Sequence, residues 1–199
     1  MASTSSPYGL QPVADQGGLS PRTVRFPLGI VSGYATNIFK GQPINLNATT
    51  NTIQAVTLGT QSIFGIFAGV EYTPLGGRPV VSPFWPAGTV YDPSYDMMVY
   101  YYPAWLDTLR VRVQAIGSLS QNGTIGQQYT LSNLTAGNTA IGLSYCTLNS
   151  AAPVALGSLG QLAVIEFDTS VNSAPGDAFT DVICMITQPQ IAPTVVSIG

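Results

Sequence analysis

The chain has 199 residues, of which only 8% are charged, with a net charge of −3 and no histidine; an average soluble domain carries roughly 25% charge. The weakly acidic balance and the lack of a basic run exclude an electrostatic nucleic-acid binder. Without imidazole, Ser-His-Asp and Cys-His nucleophiles and most zinc sites are excluded too.

Residues 1–22 read as a polar arm bearing Pro and Gly, without a core pattern. The opening MASTSSPYGLQPV has neither the positive nor the apolar region of a secretory signal, so none is expected. From Thr23 onward, short alternating or apolar runs are cut by Gly, Pro and Asn, and sustained helical periodicity is lacking. Strands are predicted over 23–30, 43–46, 52–56, 64–72, 80–84, 97–102, 110–116, 128–131, 141–148, 160–167 and 181–187. The residues Leu75-Gly76-Gly77-Arg78 read as a hairpin turn between the fourth and fifth of these. Arg110 and Arg112 alternate with Val111 and Val113, which places both arginines on one solvated strand face. No apolar run reaches the ~18 residues of a membrane helix. In the tail, Pro189 and Pro193 favour an extended strap over a central strand.

Aromatic residues thin out after 117–122, which suggests β lobes over 23–116 and 117–188, flanked by the arm 1–22 and the strap 189–199. The predicted class is all-β, with two small barrel- or sandwich-like lobes. Gly41-Gln42-Pro43-Ile44-Asn45-Leu46 is echoed by Gly126-Gln127-Gln128-Tyr129-Thr130-Leu131, as if two units start alike. Cys146 and Cys184 each sit in an apolar, strand-like run without metal-type spacing. They could pair if their strands were neighbours, but free buried thiols suit a protein made in the cytosol better.

Nine carboxylates remain for chemistry. A glycosidase needs two of them flanking one bond, and the candidates are Asp92 with Asp96, or Glu166 with Asp168. Asp92 and Asp96 lie beside turns, where Asp commonly bonds its own backbone. Neither a calcium loop nor a phosphate-cradling loop is present. No catalytic residue, cofactor or metal is therefore expected, and the chain does not read as an enzyme.

The segment 82–105 holds both tryptophans and five of the ten tyrosines. Such rings anchor interfaces, though the same cluster could be a packed loop with its tryptophans in the core. Strand alternation sets Tyr101 on the face opposite Tyr100 and Tyr102. The interface candidates are Tyr8, Leu10, Tyr91, Tyr95, Tyr100, Tyr101, Tyr102, Ile191 and Val195.

Four stretches carry a family resemblance: Pro7-Tyr8-Gly9-Leu10-Gln11-Pro12-Val13, the run from Ser32 to Ile44, Phe64-Gly65-Ile66-Phe67-Ala68-Gly69-Val70-Glu71-Tyr72, and Ser82-Pro83-Phe84-Trp85-Pro86-Ala87-Gly88-Thr89. With Pro175-Gly176-Asp177-Ala178, they resemble a family of small virion structural proteins of tailed bacteriophages, over about residues 7–187. The resemblance implies a decoration or cement protein on the outside of the capsid, made in the host cytoplasm. Its partner would be the major capsid protein, with a homo-oligomer, often a trimer, and no nucleic-acid or membrane partner. A cement protein bridges neighbouring capsomers, and the terminal arms could do so by adding strands to a neighbour's sheet. The alternative is a fibre or tail module that binds host carbohydrate through the aromatic loop.

Overall fold

In the computed structural model, residues 5–13, 20–27, 29–105, 109–155, 158–168 and 173–191 are described, and none of them is helical. Their strands are β1 (Gln11–Val13), β2 (Val24–Phe26), β3 (Ile38–Phe39), β4 (Pro43–Leu46), β5 (Ile53–Ala55), β6 (Gly65–Tyr72), β7 (Val80–Ser82), β8 (Phe84–Trp85) and β9 (Met98–Pro103). They continue with β10 (Arg110–Ile116), β11 (Gln128–Tyr129), β12 (Leu131–Ser132), β13 (Gly137–Asn138), β14 (Leu143–Ser144), β15 (Thr147–Asn149), β16 (Leu162–Phe167) and β17 (Asp181–Ile186). Every predicted strand overlaps one of these. The unpredicted β1, β3 and β13 have only two or three residues, too few to show a period of two. The predicted turn is present: Gly77 donates to the Pro74 carbonyl at 2.9 Å, and β6 and β7 pair as an antiparallel hairpin.

The first sheet runs β2-β9-β6-β4-β5, with β7 also on β6. The second runs β11-β16-β17-β10-β15-β12, with β1 on β10. Only Thr130 separates β11 from β12. Taken as one strand, they give both sheets the same path, with β10, β17, β16, β11–β12 and β15 standing where β2, β9, β6, β4 and β5 stand. The registers agree. Val24 pairs with Tyr101 and Arg25 with Tyr100, as Val111 does with Cys184 and Arg112 with Ile183. A bulge follows Phe67 in β6 and Val164 in β16.

The main chain repeats the same bonds. Gly41 N–H donates to the Phe67 carbonyl at 2.8 Å and Phe67 N–H to that of Gln42 at 2.9 Å. Gly126 and Val164 make the matching pair with Val164 and Gln127 at 2.8 and 3.0 Å. Gly41 and Gly126 have φ of 82° and 83°, where a side chain would be strained, so glycine is required at both turns. The echo of 41–46 in 126–131 therefore falls on equivalent residues. The chain is two units of one five-stranded topology. Neither closes into a regular barrel: β10 and β15 share only a two-residue parallel ladder, and a single bridge, Ile30–Ile53, stands for it in the first unit.

This arrangement corrects the lobe boundary. β10 lies at the centre of the second sheet, so that unit starts at Arg110 and not at 117. The aromatic count misplaced the border because the first core is the richer in rings, whereas β10 brings Val111 and Val113 to a mostly aliphatic one. The second core also takes in Val56, Ile63, Ile66 and Ala104 of the first unit, which makes the junction apolar.

The N-terminal arm is corrected as well. Leu10 is buried in the second core, its N–H donates to the Gly41 carbonyl at 2.7 Å, and β1 pairs antiparallel with β10 of its own chain. Of the strap, only 189–191 fall within the described residues, and there the chain runs beside the first unit: Ile63 N–H donates to the Gln188 carbonyl and Gln190 N–H to that of Ile63, both at 2.8 Å. The Gln190 side chain then acts like a short strand, accepting from Leu46 N–H and donating to its carbonyl, each at 2.7 Å.

Candidate interaction surface

Alternation along β9 sorts the three consecutive tyrosines. Tyr101 is buried and stacks on Phe64, with centroids 5.1 Å apart, beside Phe26 and Trp105. Tyr100 and Tyr102 are half-buried on the other face. The Tyr100 hydroxyl donates to Glu71 Oε2 at 3.0 Å, and the Arg25 guanidinium lies 5.7 Å from its ring centroid. Two hollows of about 300 and 330 Å³ adjoin here, and Lys40 and Tyr102 line both. Tyr8, Leu10 and Ile66 complete one; Thr23, Val81 and Tyr100 complete the other. Lys40, the sole lysine, makes no ion pair among the described residues. Val81 stands at the rim, 75% exposed.

The remaining candidates scatter. Trp85 is fully buried, and Tyr91 packs edge-on against it at 6.4 Å. Trp105 packs on the first core. Tyr95 and Ile191 are exposed, and Val195 lies outside the described residues. Tyr101 and Leu10 are removed as contact residues, since both are buried within the chain. Sequence reasoning missed Val81, along with Leu75, Val90, Leu58 and Leu159, all exposed. The signal for Val81 was its place in an edge hairpin between Val80 and Ser82, where alternation turns the middle residue outward.

Arg112, Asp168 and Asp181 gather around Tyr8 in a structural cluster. Arg112 Nη1 donates to Asp168 Oδ2 at 2.8 Å and Nη2 to Gln11 Oε1 at 2.6 Å, with the guanidinium 5.2 Å from the Tyr8 ring centroid. The face predicted to be solvated is thus partly closed by the N-terminal segment. The bond to Asp168 raises the Arg112 pKa. Burial, reinforced by the Asp181 charge, pushes the Tyr8 phenol far above its ordinary value. Burial likewise raises Asp181, against the pull of Tyr8 and Arg112. This group ties down residues 6–13; Ser6 N–H adds a bond to Gln114 Oε1 at 3.0 Å.

The four carboxylates singled out in the sequence have separate surroundings. Asp92 Oδ1 accepts from Ser94 N–H at 2.9 Å, the turn bond foreseen for it, and Asp96 is exposed. Asp168 is held by Arg112, and Glu166 points to solvent. Among the described residues, no three acidic or sulfur ligands cluster as a metal site would need. Cys146 and Cys184 are free and buried, and burial pushes both thiols well above their usual range, which disfavours the reactive thiolate. Compared with protein-family models, curated proteins and solved structures, the chain finds no match.

Proposed function

We propose that this chain is a structural virion protein that binds the outer surface of an assembled phage capsid and stabilises it by bridging neighbouring subunits. The observation that carries the reading is the face around Lys40, where Tyr100, Tyr102 and Val81 surround two shallow hollows. Tyrosine offers wide contact area at low side-chain entropy, and its hydroxyl serves a neutral partner as well as an apolar one. One ion pair, Arg112–Asp168, is formed among the described residues. With 8% of its residues charged and a net charge of −3, the chain offers little long-range electrostatic selectivity, so a contact through this face depends on shape and hydrogen bonding.

Stabilisation follows from linkage. A protein that binds the assembled lattice and not its free subunits shifts assembly by about 2.7 kcal/mol per site at a hundred times its Kd. Many sites then make modest affinity sufficient. The family resemblance supports the same reading. The carbohydrate reading has less support, since Trp85, Tyr91, Tyr101 and Trp105 are committed to the first core and Tyr95 is the exposed ring of the segment.

The test is co-sedimentation with purified mature shells. Saturable binding should accompany a higher shell disassembly temperature, and Val81→Asp should weaken binding at least about tenfold with no change in the fold. No binding to shells, or binding untouched by Val81→Asp, would overturn the reading.

A further inference from the structure

We propose that the outer edge of β2 accepts an extended strand, and that this strand is the segment 194–198 of a second copy of the chain. The internal repeat supplies the argument. In the second unit, the strand equivalent to β2 is β10, whose outer edge is filled by β1 with Gln11 opposite Arg112 and Pro12 opposite Val111. In the first unit no described strand occupies that place, and β2 ends its sheet. The difference shows at one residue: Val111 is fully buried, and its counterpart Val24 is 41% exposed. An edge strand with an uncovered apolar side chain is a template for another strand.

The occupant follows by chemistry. Residues 11–13 are already engaged with β10 of their own chain. Two β2 edges cannot easily serve each other, because antiparallel pairing about Arg25 would set like charges opposite. The segment Thr194-Val195-Val196-Ser197-Ile198 is uncharged and rich in β-branched residues, the composition that strands favour. Its hydroxyls can accept from Arg25 as Gln11 Oε1 accepts from Arg112. It follows Ile191, which is exposed just past the point where Gln190 fastens the chain to Leu46. A segment anchored at its start and free of charge suits exchange between copies. The inference stands apart from the capsid reading, and shells play no part in its test.

The experiment combines light scattering with amide hydrogen exchange on three proteins: the full chain, a chain ending at Ile191, and Val24→Lys. The full chain should have the mass of two or more chains of 20.8 kDa each. Both variants should fall to the mass of a single chain while keeping their β circular dichroism, and the amides of 24–26 should exchange at least about tenfold faster. Three results would each overturn the proposal. One is a single-chain mass for the full protein, even with β2 protected. The others are association that survives truncation and unchanged exchange at 24–26.

Discussion

Replacing Gln161 by leucine tests how the two units are joined. Gln161 is fully buried where they meet. Its Oε1 accepts from Leu131 N–H at 3.1 Å, and its Nε2 donates to the Gln61 carbonyl at 2.8 Å and, more weakly, to that of Leu58 at 3.4 Å. Leucine is close in volume, so a cavity adds little and the loss is chiefly polar. Leu131 is buried, and its N–H left without an acceptor costs about 1–3 kcal/mol. Gln61 and Leu58 are accessible enough for water to replace the donor, so the remaining loss is about 1 kcal/mol. The sum is roughly 2–4 kcal/mol, and at about 2–4 °C per kcal/mol for a chain of this length, Tm should fall by roughly 4–16 °C. Far-ultraviolet circular dichroism on heating measures it, with exposed Gln121→Leu as the control. A fall no larger than that of the control would mean the buried amide does not hold the junction, and the reasoning would fail.

Asp181 gives a pH signature. Burial raises its pKa in the folded chain, so folding favours the protonated form. The penalty is absent below the unfolded value of about 3.9, grows as pH rises through the folded value, and is complete above it. Asp181→Asn should thus gain stability relative to the parent at pH 7 and lose that gain at pH 3; equal differences at both pH values in urea unfolding would contradict this. The thiols offer a second check. Neither Cys146 nor Cys184 should react with an aromatic disulfide reagent in the native chain, and both should react once it is unfolded. Rapid labelling of the native protein would refute their burial.

Where period-two alternation extends over six or seven residues, the sequence was readable. In β10 it located the strand and its inward face, with Val111 and Val113 buried; in β9 it located the strand and set Tyr101 opposite Tyr100 and Tyr102, but not which face turns inward. The six-residue echo pointed to real equivalence because the glycine that opens each copy is demanded by backbone geometry. Its neighbours diverged, since one core is richer in rings and the other is mostly aliphatic. Leu10 was misread because a single apolar residue in a polar stretch has no period, and its burial depends on a turn at Gly41 far along the chain. The aromatic segment was misread in part for a related reason. Composition says how much ring surface exists, and only tertiary pairing decides that Tyr101 lies inside and Val81 outside. Gln161 carries no local signal at all: its three partners are 30 to 103 residues away.

The unequal filling of two like frames has a spectroscopic consequence. Both indole rings pack in the half richer in rings, so tryptophan emission, excited apart from tyrosine, follows that half alone, while peptide absorption averages over the whole chain. Overlaying the two melting curves reveals whether the halves come apart in one cooperative step or in succession.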